Sequence, residues 1–223
     1  SWRAVNIMAS ARLLFQWLID LVYPPRCALC GDLDVPLCAA CRAEIDAVPL
    51  DPHARRLAPL SGSATSGAHD GLLRDAIHKL KYDNARTLAE PLGDRLAELY
   101  HRSHWTVDMI VPVPLHTSRF QERGYNQSQL IGERMVRRVH HPCVPSALIR
   151  RRSTPSQVGR SRSERQLNMQ DAFHADAALV AGRRILLIDD VQTSGATLQE
   201  SARALLNVGA AAVYAMTVTA ARL

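Results

Sequence analysis

No apolar run in this 223-residue chain approaches the ~20 residues that a membrane-spanning helix needs. There is no internal repeat and no low-complexity tract, which excludes a solenoid and a compositionally biased protein. Both common phosphate-binding fingerprints are missing, G-x-x-x-x-G-K-[ST] and G-x-G-x-x-G. The N-terminal run LLFQWLIDLVYPP contains Gln16 and Asp20 and has no small-residue cleavage site, so it makes a poor secretory signal. It reads instead as a short amphipathic helix with Leu14, Trp17, Leu18 and Leu21 on one face. Met8 offers a native start, which would leave Ser1–Ile7 as an upstream remnant. Cysteine is scarce: the chain has five, and four of them fall between Cys27 and Cys41. Such clustering argues for a metal and against a disulfide framework. A reducing compartment follows, most simply the cytoplasm.

Apolar residues make up 47% of the chain, enough for a substantial core. Lys and Arg number 27 against 21 Asp and Glu, a formal charge of +6 that favours anionic partners such as phosphates or nucleic acid. The length suits one domain with a small appendage, or two small domains. We divide it into a cysteine-bearing head at 1–50, with the amphipathic helix, and a larger unit at 51–223.

Periodicity organises the larger unit. Leu73, Ile77 and Leu80 predict a helix over 71–82, and a second is expected over 86–101 with Pro91 near its first turn. DMIVPVP at 108–114 reads as a short buried strand, followed by a helix over about 125–139. Further strands are expected at VPSALIR, at RRILLID and at AAVYAMTVTA, with a helix over 195–208 between the last two. Strands alternating with helices predict an α/β fold with a mostly parallel sheet flanked by helices. Ligands in such folds sit outside the carboxyl ends of the strands.

The stretch ILLIDDVQTSGATL, 185–198, stands at such an end. Gly195 permits close approach and unusual backbone angles. Successive N–H groups from Thr193 through Ser194, Gly195 and Ala196 to Thr197 would form an anion nest at a helix start, with hydroxyls as further donors. That suits a phosphate monoester. Asp189 and Asp190 would repel a phosphate, but carboxylates accept strong hydrogen bonds from a vicinal diol. Phosphate at one end and diol at the other describe a ribose 5-phosphate. A purely capping role would need fewer acids and hydroxyls than are present.

Two other segments leave strand ends. VPVPLHTSRFQERGYNQSQL places Arg119 and Arg123 beside a Gly-Tyr-Asn-Gln turn, where arginine forks match pyrophosphate oxygens. A solvated basic turn is the alternative. His116 lies in the same loop, while the other histidines offer no usable spacing. RRRSTPSQVGRSRSER carries six arginines and one glutamate. It reads either as a lid that excludes water from a reacting sugar or as a mobile basic loop.

The run D-D-V-x-T-S-G-A-T resembles the phosphoribosyl pyrophosphate (PRPP) signature of type I phosphoribosyltransferases. The resemblance implies that Asp189 and Asp190 are the catalytic, ribose-binding acids and that Thr193–Thr197 hold the 5-phosphate. Gln192 departs from the usual apolar residue. Together with PVPLHxxRxxxRGYNQ, TPSQxxxxxxERxxN, the LKY segment at Lys81 and the N-terminal cysteines, the chain is similar to the ComF/GntX family from about Leu21 onward. Arg160 stands where relatives are expected to carry leucine. The resemblance implies a type I phosphoribosyltransferase-like fold, PRPP with Mg2+, and Gln157 and Arg165 as lid residues. It also implies natural transformation as the setting, with single-stranded DNA and a helicase-like competence protein as partners. The alternative is a phosphoribosyltransferase of nucleotide metabolism with no DNA role. An amidophosphoribosyltransferase would need a glutaminase half and an N-terminal cysteine nucleophile, which this chain lacks.

Cys27, Cys30, Cys38 and Cys41 are spaced C-x2-C-x7-C-x2-C. Paired C-x-x-C turns bring four thiolates to one tetrahedral point, as closed structural Zn2+ sites require. So small a head would draw much of its folding energy from the metal. ComF relatives resemble this in having a zinc-binding head. Cys143 stands apart and reads as a plain thiol.

Overall fold

The computed structural model describes residues 24–50, 53–54, 56–150 and 172–221. The predicted amphipathic segment around Leu14–Leu21 and almost all of the basic loop, with Gln157 and Arg165, lie outside them.

Helix α1, Ala39–Ala47, starts where the sulfur of its N-cap Cys38 accepts the N–H of Cys41. Two strands follow, β1 at His53–Ala54 and β2 at Gly62–Thr65. Helix α2, Gly71–Tyr82, buries Leu73, Ala76, Ile77 and Leu80, a stripe with the helical period. Each of its large members contributes about 1.5–3 kcal/mol on burial. Lys79 and Lys81 occupy its last turn, where cations complement the helix dipole. After a single 3-10 turn at Arg86–Leu88, helix α3 runs from Ala89 to Ser103. Strand β3 is Met109–Pro112, and short helix α4, Thr117–Arg123, ends on Gly124 with φ 78°. Helix α5, Gln127–Val139, is capped by Asn126, whose side chain accepts the N–H of Ser128. The chain then forms β4 at Leu148–Arg150, β5 at Phe173–Ala175 and the single turn α6 at Ala177–Val180. Strand β6, Arg184–Gln192, helix α7, Ala196–Asn207, and strand β7, Ala212–Ala220, complete it.

The main sheet has the order β1-β2-β7-β6-β3. Strands β2, β7, β6 and β3 are parallel, and β1 is antiparallel on the edge. Alternation along the central strands feeds two apolar layers. Leu186, Ile188, Met216 and Val218 join the layer under α2, α3 and α5. Ile185, Leu187, Val213 and Ala215 join the one under α7 and the β4–β5 pair. Gly93 lets α3 and α5 close on each other, since a Cβ there would lie 2.7 Å from Arg134 Cβ and 2.8 Å from the Ile131 carbonyl oxygen.

Three expectations change. The strand predicted at VPSALIR touches the parallel sheet only at its entry, where Cys143 forms an isolated parallel bridge with Ile110 and the Val144 N–H donates to the Ile110 carbonyl at 2.9 Å. Pro145 opens a 3-10 turn over Pro145–Ala147, and only Leu148–Arg150 is extended, paired antiparallel with β5. A proline has no N–H for a ladder and resists a central strand position. The loop after Pro114 contains α4, started by His116, whose Nδ1 accepts the Ser118 N–H at 3.3 Å. Strand β6 runs past both acids to Gln192 because its pairing with β7 continues from Asp189↔Thr217 to Gln192↔Ala220.

The head packs on the larger unit. Ile45 of α1 is fully buried in the layer shared with α2 and α3. The Arg42 guanidinium meets Asp94 and Glu90 of α3. Arg95, 7% exposed, donates to the carbonyls of Val48 (2.6 Å) and Pro49 (2.7 Å), and to the carbonyl (2.7 Å) and hydroxyl (2.9 Å) of Ser66. Thus one side chain ties the end of the head to the exit of β2.

Candidate functional site

The central parallel strand delivers both acids to its carboxyl end, where α2 and α5 converge on them. Asp189 is half-buried; its Oδ1 accepts the Ser128 hydroxyl at 2.9 Å and the Asp190 N–H at 2.9 Å. Burial, and then the charge of Asp190, push the Asp189 carboxyl up to about 7, against the lowering influence of Ser128 and Lys81. Asp190 is buried and forms an ion pair with the Lys81 ammonium, Nζ to Oδ1 2.9 Å. Its Oδ2 is buried without a hydrogen-bond partner among the described residues. An unpaired buried carboxylate oxygen is expensive, and such atoms mark sites completed by a ligand or by water.

The turn after β6 has the predicted form. Gly195 adopts φ 83°, and a Cβ there would lie 2.9 Å from the Leu57 side chain. The positive φ favours glycine, while the Leu57 methyls could shift to admit a Cβ. Thr193 and Ser194 are exposed, and Gly195 gives α7 no side-chain cap, so its first N–H groups are left for other acceptors. Ser194 Oγ accepts one of them, from Ala196, at 3.4 Å.

The arginines expected at the pyrophosphate loop lie on α4. Arg119 faces Glu122 at 3.5 Å and is exposed. Arg123 donates to Gln127 and lies over the Tyr82 ring, 5.5 Å from its centroid. His116 is taken up in starting α4, where its Nδ1 also lies 2.7 Å from the Ser118 hydroxyl oxygen.

Sequence reasoning missed the groups that surround the acids. Lys81 was visible only as part of LKY, and Ser128 only as part of the helix predicted over about 125–139. Arg150, at the end of β4, has a buried Nε without a partner among the described residues and lies over Phe173 at 5.3 Å. Burial holds its guanidinium below the ordinary value, and the Asp189 charge counters this. His69 Nδ1 lies 2.8 Å from the Thr219 hydroxyl. Burial, and then Lys81, lower that imidazole below its usual value. No local spacing reveals such partners, because separate helices and strands bring them together.

At the head, the four sulfurs of Cys27, Cys30, Cys38 and Cys41 lie within 4.8 Å of one another. The Cys30 and Cys38 sulfurs are 3.7 Å apart. A tetrahedron with metal–sulfur bonds of about 2.3 Å has sulfur–sulfur edges of ~3.8 Å. The Cys38 N–H donates to the Cys27 sulfur at 3.4 Å. Burial opposes ionisation of Cys27, but the N–H groups of Cys30, Cys38 and Leu29 outweigh it and hold the thiol at about 6. Burial and the neighbouring sulfurs push Cys41 up. A bound cation reverses that repulsion and deprotonates a coordinating thiol. The donor set fits structural zinc.

Residues 126–222 match the family model of the phosphoribosyl transferase domain, and residues 18–59 that of the double zinc ribbon domain. The cysteines within the second match number four, which furnishes one tetrahedral site. Fold and site therefore define a type I phosphoribosyltransferase-like protein with a zinc-ribbon-like head. More narrowly, the chain is similar to proteins named for competence and DNA utilization. It is 37% identical over 146 residues to DNA utilization protein YhgH of Escherichia coli (63% of this chain, 64% of that protein). Competence protein ComFC of Bacillus subtilis is 29% identical over 148 residues (65% and 58%). Competence protein F of Haemophilus influenzae is 33% identical over 141 residues (60% and 61%). Each match spans under two thirds of the relative's own length. Among the described residues, no helix is long and apolar enough to cross a membrane.

Proposed function

We propose that the strand–turn–helix at 185–198 binds PRPP, and that the protein serves DNA uptake in natural transformation from the cytoplasmic side. The observation that carries the ligand is the adjacent acid pair at the end of the central parallel strand, set against an exposed Thr-Ser-Gly turn that opens a helix. Asp189 and Asp190 would accept the ribose hydroxyls. The N–H groups of Thr193–Thr197 and their hydroxyls would take the 5-phosphate, where the helix dipole favours an anion. Mg2+, when bound with PRPP, screens the pyrophosphate and makes it a better leaving group. Arg119, Arg123, Gln157 and Arg165 are proposed for the pyrophosphate side. Lys81 holds Asp190 in place, and Ser128 orients Asp189.

The DNA half of the reading rests on the relatives' names, on the +6 charge and on the arginines of α4 and the following basic loop. Single-stranded DNA and a helicase-like competence protein are the proposed partners. The head, 1–50, is proposed as a zinc-stabilised unit docked on the 51–223 unit through α1. Phosphoribosyl transfer to an acceptor is tested by pyrophosphate release from PRPP with a panel of bases and amines. Release that needs an acceptor and disappears in Asp189→Asn/Asp190→Asn supports a transferase. Binding of PRPP without release under any acceptor leaves a PRPP-sensing protein.

A further inference from the structure

We propose that Tyr82 and Phe120, with Arg86 and Arg123 around them, form a stacking shelf for the bases of a single-stranded nucleic acid. Aromatic residues are only 5% of the chain. Among the described residues, the large hydrophobic side chains left exposed include two aromatics, Tyr82 at 58% and Phe120 at 48%. Both flank Arg123. Phe120 stands one helical turn before Arg123 on α4, on the same helix face. Arg123 lies over the Tyr82 ring at 5.5 Å, and the His78 ring lies 4.7 Å from Tyr82, tilted by 48°. Arg86 covers Tyr125 at 4.4 Å. Beside Tyr82 and Arg123 lies a recess of 180 Å³ lined by Lys81, Tyr82, Asn84, Glu122, Arg123 and Tyr125.

A tyrosine at a helix end keeps its hydroxyl in water and needs no explanation. An exposed phenylalanine has no polar tip, and its ring forgoes about 1.5–3 kcal/mol of burial. The surrounding charge decides what would cover it. Lys81 and Arg123 line the recess with Glu122, and Lys79, Asp83, Arg86 and Arg119 lie within a few residues of Tyr82 or Phe120 in the chain. Those acids answer Lys79 at 3.9 Å and Arg119 at 3.5 Å, and Lys81 is held by Asp190. Arg86 and Arg123 make no ion pair with a carboxylate among the described residues. Flat π-faces interleaved with cations suit a polyanion whose bases are free to stack. A duplex keeps its bases stacked inside and offers them no such contact. The shelf adjoins the proposed PRPP site, because Lys81 lines the recess and pairs with Asp190. The inference deepens the nucleic-acid half of the proposed function and does not depend on PRPP binding.

The test is fluorescence anisotropy of a labelled oligothymidylate across a salt series, on the full chain loaded with zinc. Tyr82→Ala/Phe120→Ala should bind at least about 10-fold more weakly with an unchanged salt slope, since each stacked base contributes ~1–3 kcal/mol. Arg86→Gln should weaken binding and flatten the slope by about 0.7, as one lost phosphate contact does. Thermal unfolding and circular dichroism confirm that the double variant is folded. Wild-type strength in the double variant, no binding by the wild type, or equal competition by duplex DNA would overturn the shelf. So would self-association of the wild type that the double variant abolishes, since a second copy of the chain would then cover the shelf. Loss of PRPP heat in Asp189→Asn/Asp190→Asn with intact oligonucleotide binding separates the two sites.

Discussion

Asp189 is the residue whose protonation decides how the proposed site behaves. Its folded-state value, about 7, lies above the ordinary carboxylate value of 3.8. Ionisation therefore opposes folding of the free protein. The stability that protonation contributes is complete below 3.8 and is lost as pH rises through about 7. Asp189→Asn should remove this slope, leaving a variant with flatter stability between about pH 4 and pH 7 and greater stability than wild type above about pH 7. Chemical denaturation at several pH values checks it, and an unchanged slope would assign the effect elsewhere. PRPP affinity should move the other way, rising as pH climbs through about 7 and Asp189 becomes an acceptor. Lys81→Met is a second test at this scale. It strands the buried Asp190 carboxylate, and breaking a buried pair costs about 3–5 kcal/mol. Lys81 keeps a fifth of its side chain exposed, with relative accessibility 20%, so the lower end is expected in a urea melt.

Elements explain which parts of this architecture are legible in sequence. The helix at Gly71–Tyr82 and the Thr-Ser-Gly turn at 193–195 are local patterns, and both appear where periodicity and turn chemistry put them. The four cysteines are equally local. Strand β4 was misplaced because VPSALIR is apolar enough for the sheet, and only its pairing with β5 across the intervening loop decides otherwise. Lys81, Ser128 and Arg150 were missed as neighbours of the acids because three separate elements carry them. Arg95 lies within a helix that periodicity predicts, but no local pattern marks it as the side chain that joins α3, the end of the head and the exit of β2. Arg95→Met should leave those carbonyls unsatisfied at about 1–3 kcal/mol each. For a chain of this size each kcal/mol shifts the melting temperature by about 2–4 °C, so a drop of several degrees is expected. A melt within error of wild type would remove the clamp.

At the scale of the whole molecule, the head and the phosphoribosyltransferase-like unit share a layer of core through Ile45. Zinc removal should therefore unfold more than a knuckle. Without metal, Cys41 is buried among other sulfurs and its ionisation is disfavoured, so α1 loses its anchored start at Cys38. Chelation should lower the melting temperature of the entire chain and raise hydrogen exchange in α3 as well as in the head. Protection lost only before Pro49 would mean that the head is an independent appendage.

The central claim is that the acid pair and the glycine turn form a PRPP site, and calorimetric titration of PRPP with Mg2+ tests it most directly. Wild type should bind with measurable heat at neutral pH, while Asp189→Asn/Asp190→Asn, still folded by circular dichroism, should bind at least about 10-fold more weakly, because hydrogen bonds to charged groups are worth ~1.5–3 kcal/mol each. No heat with wild type, or equal affinity in the double variant, would contradict it.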